Sequence, residues 1–125
     1  MQLQMLKSKI HRATITEANL HYEGSISIGP DLLEAAHILP FEKVYIYNVN
    51  NGERFSTYAI EGNKGEICLN GAAAWKGNVG HIIIIAVYSW FDEKEASQHK
   101  PRLVYVDGKN AIKGMATEIK KRDPL

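Results

Sequence analysis

Lys9 and His11 stand two residues apart in a β-forming run, and Arg54, Ser56 and Tyr58 alternate in the same way. Residues i and i+2 of a strand project from one face. Each set therefore groups polar side chains locally. Arginine grips a carboxylate with a planar fork, and a neighbouring tyrosine hydroxyl offers a proton. The plainer reading of both sets is a solvated strand face or a rim pair. Thr57 points away from Tyr58, so a site shared by the two needs a strand end, strong twist or a second subunit. Asn70-Gly71-Ala72-Ala73-Ala74 is another candidate. Its small residues let a ligand approach the backbone, and bare N–H groups at the start of a helical turn suit an anion. A tightly packed turn explains it equally well. Finally, LHYEGSISIG (20–29) sets Gly24-Ser25 between two apolar-alternating runs, where Gly-Ser reads as a turn.

Other chemistries lack their residues. The five histidines, His11, His21, His37, His81 and His99, show no HxxxH or CxxH spacing, and Cys68 is the single cysteine, so no metal is expected. The glycines lack GxGxxG or GxxxxGK order. A serine hydrolase using Ser25 with His11 or His21 lacks the GxSxG elbow. A net charge of +1 with no basic block argues against nucleic acid. The longest apolar run, HIIIIAVYSWF, is too short to span a bilayer, and the first residues carry no secretory pattern. A lone cysteine suits a reducing cytoplasm. The 125 residues make one domain with one core.

β signals dominate the elements that must hold these residues. Strands are expected in QMLKSKIHRATIT, KVYIYNV, ERFSTYAI, EICLNG, HIIIIAVYSW and RLVYVDG. Asn51-Gly52 predicts a tight hairpin, since both residues tolerate positive φ. GPDLLEAAHIL predicts a helix with Pro30 in its first turn and a stripe of Leu32, Leu33, Ala36 and Leu39. NGAAAWKG predicts one helical turn, and FDEKEASQH a short helix. Residues 114–125 read as a loose polar tail. Six or seven strands with two or three short helices predict a closed, mostly antiparallel barrel, because closure removes edges. Without further motifs, a small β-barrel binding protein is the default reading.

Three segments in order, KSKIHRATITEANLHYEGSISI, NVNNGERFSTYAI and ICLNGAAA, closely resemble the aspartate 1-decarboxylase family. The resemblance runs from the N-terminus to about Pro101 and includes DEKEASQHKP, where relatives carry a similar acidic segment; the tail matches weakly. Trp75 and His81 depart from the family's usual residues, outside its motifs.

The resemblance implies a double-psi β-barrel, a homotetramer with active sites at subunit interfaces, and decarboxylation of L-aspartate to β-alanine for pantothenate and coenzyme A synthesis. It implies a pyruvoyl cofactor derived from Ser25, with no metal and no pyridoxal phosphate. A proenzyme would cleave itself between Gly24 and Ser25, giving a β-chain of residues 1–24 and an α-chain of 25–125. Glycine before the bond permits the unusual backbone that attack by Ser25 on its own preceding carbonyl needs. By the same resemblance Thr57 supports processing, Ser25 as pyruvoyl forms the Schiff base with substrate, and Tyr58 is the proton donor. Lys9, His11, Arg54, Thr57, Asn70, Gly71, Ala72 and Ala73 are implied to bind substrate. An inactive or unprocessed homologue is the alternative within the family.

Overall fold

Alternation along the chain converts into nine strands, which a computed structural model describes over residues 1–121. They are β1 (Gln2–Thr14), β2 (Glu17–Asn19), β3 (Ser25–Ile28), β4 (Lys43–Asn48), β5 (Arg54–Glu61), β6 (Ile67–Asn70), β7 (Ile82–Asp92), β8 (Arg102–Val106) and β9 (Ile112–Ala116). Helix α1 (Pro30–Ala36), a 3-10 turn (Gly71–Lys76) and α2 (Glu93–Gln98) complete the elements. Beyond the six segments expected as strands stand the three-residue β2, the four-residue β3 and the edge strand β9. All three are too short or too polar to announce themselves. β9 also takes in Gly114–Ala116, which the sequence reading assigned to a loose tail. The end of that expected tail, 122–125, lies outside the described residues.

The strands form one mixed sheet in the order β2-β6-β3-β5-β4-β7-β1-β8-β9. Parallel pairs β1/β8, β2/β6 and β3/β5 interrupt the antiparallel pattern. The sheet curls because β1 leads directly into β2 at its far end. Between them, Ile15 donates to the His81 carbonyl at 2.9 Å and Thr16 to the Ile67 carbonyl at 2.8 Å. The result is a mainly β barrel.

One cross-strand row shows how the interior fills. Ile10 pairs with Ile85, Ile85 with Ile46, and Ile46 with Phe55. The three isoleucines are fully buried, each contributing about 1.5–3 kcal/mol. β1 needs two bulges to hold its inward residues, and Arg12 at φ 65° in the second lets both Ile10 and Ala13 face the core.

Two local expectations are corrected. Helix α1 ends at His37, which turns left-handed at φ 54°. Ile38 N–H then bonds back to the Leu33 carbonyl at 2.9 Å, so Ile38 takes the buried position and Leu39 is left 70% exposed. The β4–β5 connection is a longer loop than a two-residue turn. Asn48 N–H bonds to the Glu53 carbonyl, Gly52 alone has positive φ, and Asn51 instead spends its side chain on Lys76 and Glu53. Helix α2 begins with a full capping box between Asp92 and Glu95.

Candidate active site

β3 starts at Ser25, held between β6 and β5. Ser25 lies opposite Asn70 in the antiparallel β3/β6 pair, and Ile26 pairs with Ala59 in the parallel β3/β5 pair. Extending the parallel register backward sets Ser25 alongside Tyr58 and Gly24 alongside Thr57. Alternation then sorts them. Ser25, Ser27, Cys68, Asn70 and Tyr58 belong to one side of the sheet, Gly24 and Thr57 to the other. Within one chain Thr57 and Tyr58, both inside β5, therefore stay on opposite faces. A cavity of about 270 Å³ is lined by Gly24, Phe55, Ser56, Thr57, Ala72, Ala73 and Lys76.

The turn expected at Gly24-Ser25 lies upstream. Asn19 accepts from the N–H groups of His21, through its side chain, and of Tyr22, through its carbonyl. Gly24 is an exposed bend and Ser25 is already strand, only 1% exposed. The chain thus passes from solvent to interior across one peptide bond.

Ser25 Oγ is held from two directions. It donates to the Glu23 carbonyl at 3.0 Å and accepts from Asn70 Nδ2 at 3.0 Å. The same Nδ2 donates to Ser27 Oγ at 2.9 Å, and the Cys68 thiol donates to Asn70 Oδ1 at 3.1 Å. Gly71 follows at φ 63°, so close to Gly24 that an added Cβ would lie 2.7 Å from the Gly24 Cα and N. No side chain but hydrogen fits between position 71 and the Gly24 N–Cα backbone.

What this arrangement can do is constrained by its hydrogen bonds. Neither His11 nor His21 hydrogen-bonds Ser25, whose partners are Glu23 and Asn70. The serine–histidine pair of a hydrolase is therefore not assembled among the described residues. The Ser25 hydroxyl is held by Glu23 and Asn70, and the only carbonyl its own chain lets it reach through a five-membered ring is that of Gly24, a residue that tolerates distortion.

The cationic candidates lie elsewhere. Arg54 stacks its guanidinium 3.9 Å over the Tyr47 ring. Lys9, Ala86, Tyr45 and Ser56 form one row across β1, β7, β4 and β5. Lys9 is thus three strand spacings, about 14 Å along the sheet, from Ser56. His11 presents its ring edge to Tyr105 at 5.5 Å, and burial, then Lys9, Arg12 and Lys113, lower its pKa. Lys9, His11 and Arg54 do not line the Gly24 cavity of their own chain. Tyr58 rests its ring near Phe41, with centroids 6.2 Å apart.

Sequence reading missed Lys76 and Phe55 at the cavity, and Ser27 and Cys68 behind Ser25. The last two were legible in principle, since each is two residues from a candidate on its own strand. Burial, then Glu17 and Glu66, push the Cys68 thiol up to about 11. Glu17, Glu66 and Cys68 bring possible metal-ligand atoms within 4.8 Å of one another. The departures found in the sequence are accommodated locally: His81 Nδ1 accepts from Asn78 N–H at 3.2 Å, and Trp75 is exposed. No helix among the described residues is long and apolar enough to cross a membrane.

Residues 1–113 match the family model described as aspartate decarboxylase. A protein named aspartate 1-decarboxylase from Syntrophus aciditrophicus is 62% identical, over 90% of this chain and 99% of its own. Its counterpart from Syntrophobacter fumaroxidans is 58% identical over 88% and 90% of the two chains. That from Bdellovibrio bacteriovorus is 52% identical over 98% and 96%.

Proposed function

The chain belongs to the aspartate decarboxylase family and decarboxylates aspartate, and on that premise we propose that it does so through a pyruvoyl group made from its own Ser25. The observation that carries this reading is the junction itself: an exposed glycine, pressed by Gly71, followed by a buried serine held between Glu23 and Asn70.

Processing begins when the Ser25 hydroxyl leaves the Glu23 carbonyl and turns to the Gly24 carbonyl carbon. A C–O bond forms, the C–N bond breaks, and the hydroxyl proton passes to the released nitrogen. Thr57, beside Gly24 in the cavity, donates to the developing oxyanion. Loss of the Ser25 α-proton then expels the Gly24 carboxylate. Water replaces the nitrogen, which leaves as ammonia, and the chain is split into residues 1–24 and 25–125.

The residues around position 25 fit the resulting group. Ser25 is buried, Asn70 Nδ2 is a donor suited to a carbonyl oxygen, and Ala72 and Ala73 leave the neighbouring cavity unobstructed. When formed, the pyruvoyl ketone supplies the electron sink that loss of CO₂ from an α-amino acid requires. The chain's own residues do the remaining work. Arg54 clamps a substrate carboxylate with its N–H edge while Tyr47 holds the guanidinium face. Tyr58 holds a phenolic proton and delivers it to the substrate Cα after CO₂ departs. Asn70 and the Gly71-Ala72-Ala73 backbone orient the substrate amine and carboxylate.

Because Lys9, His11 and Arg54 do not line the Gly24 cavity of their own chain, the proposal includes a homotetramer with sites at subunit boundaries. A second copy then contributes its cations to the pocket. The product is β-alanine, made in the cytoplasm for pantothenate synthesis. Intact mass of the purified protein tests the reading. Two fragments split at Gly24–Ser25, borohydride inactivation enhanced by aspartate, and CO₂ release from aspartate are expected. A chain that stays whole on prolonged incubation and still releases CO₂ would overturn the cofactor; one that stays whole and releases none would overturn the whole reading.

A further inference from the structure

Behind the Gly24–Ser25 bond, four buried polar side chains form a square across the β3/β6 pair. Ser25 lies opposite Asn70, and Ser27 opposite Cys68. Their exposures are 1%, 2%, 7% and 3% respectively. We propose that Cys68 and Ser27 are positioning residues for self-cleavage, holding the Asn70 amide in the one orientation that donates to Ser25 Oγ. The assignment rests on the reading that Ser25 cleaves its own chain.

A side-chain amide has a donor end and an acceptor end of nearly equal shape, and its orientation follows from its partners. Here the thiol proton, both amide protons and the Ser25 proton each have an acceptor. The Cys68 thiol donates to Asn70 Oδ1, and the Asn70 amide donates to Ser25 and Ser27. The Ser25 proton goes to the Glu23 carbonyl. Turning the amide over would set Nδ2 against sulfur, a weak acceptor. It would also set Oδ1 against Ser25, whose proton is already committed to Glu23. Cys68 and the committed Ser25 proton thus make the flipped state poor at both ends, while Ser27 Oγ receives the second amide proton and anchors the favoured one. The thiol remains a donor at neutral pH, because burial and the two nearby glutamates hold its proton.

The consequence for cleavage is geometric and electrostatic. An amide proton aimed at Ser25 Oγ fixes where the nucleophile waits and stabilises negative charge as its own proton leaves. Without the thiol, Oδ1 is buried without a partner, and the amide loses its reason to keep Nδ2 toward Ser25.

The test is the time course of Gly24–Ser25 cleavage, followed by intact mass, in Cys68→Ser, Cys68→Ala, Cys68→Val and Ser27→Ala. Thermal unfolding of each variant separates slow chemistry from a failure to fold. Cys68→Ser keeps a donor and should cleave within about threefold of the parent. Cys68→Ala and Cys68→Val remove it and should be slowed about tenfold; Ser27→Ala should be slowed about threefold or more. A packing role predicts the reverse order, with alanine and valine tolerated and the polar serine penalised. Alanine cleaving at the parent rate, or serine no faster than alanine, overturns the role of Cys68. An unchanged Ser27→Ala rate overturns that of Ser27. A parent chain that never cleaves removes the self-processing reading itself and this assignment with it.

Discussion

Replacing Gly71 by alanine probes the tight contact on Gly24, the residue before the proposed cleavage bond. Gly71 sits at φ 63°, and its new Cβ would lie 2.7 Å from both the Cα and N of Gly24 and 3.0 Å from the Tyr22 carbonyl oxygen. An ordinary contact begins at 3.4 Å, so Gly24 or β6 must retreat by about 0.7 Å. The left-handed backbone adds about 1–2 kcal/mol for a residue with a Cβ. Attack by Ser25 needs its oxygen about 3–3.5 Å from the Gly24 carbonyl carbon, and a displacement of about 1 Å costs roughly 10²-fold in rate. We therefore expect Gly71→Ala to lose about 1–2 kcal/mol of stability and to cleave roughly a hundredfold more slowly. Gly52→Ala is the control. It shares a positive φ of 76° but meets nothing within 4 Å, so it should lose comparable stability and cleave normally. Both are read by intact mass against time and by denaturant unfolding. Gly71→Ala cleaving at the parent rate, or Gly52→Ala slowed equally, would refute the contact as the cause.

Further perturbations separate the steps. Ser25→Ala should abolish both chain cleavage and CO₂ release from aspartate. Tyr58→Phe should leave cleavage intact and lose turnover, measured on the processed protein; full activity there rejects Tyr58 as the proton donor. The Cys68 thiol titrates near 11 when folded, against 9.0 in its reference state. The folded protein therefore binds this proton more tightly, and the resulting stability is present below about 9 and lost as pH rises through 11. Cys68→Ala should flatten the decline in unfolding midpoint between these pH values, and an unchanged slope would count against the burial of the thiol. Asp92→Ala removes the capping box of α2 and should cost about 1 kcal/mol, with no change in cleavage.

Strand positions were legible because alternation is a local property. Val44 and Ile46 declare one face of β4 within six residues, and both are fully buried. The short helix α2 and the helical turn at Gly71–Lys76 were visible for the same reason. Helix α1 ended earlier than its stripe implied, because a single left-handed residue, His37, redirects the chain and hands the core position of Leu39 to Ile38. No period in the sequence announces a backbone reversal at a residue other than glycine. The nature of Gly24-Ser25 was similarly misread locally. The pair resembles a turn, but the turn is three residues upstream and Ser25 belongs to a strand.

By itself the sequence determined the residue types that do chemistry, the strand-rich class, and a resemblance specific enough to assign a family. Those follow from composition, spacing and order, which need no third dimension. The tertiary structure alone decided which residues meet. Pairing of β3 with β6 and β5, segments some forty residues and thirty residues away, sets Asn70 on Ser25 and Thr57 beside Gly24. It also leaves Lys9 three strands from Ser56 in the sheet. Register between distant strands is a collective outcome of core packing, and a shift of one residue would exchange the two faces on which Thr57 and Tyr58 are divided.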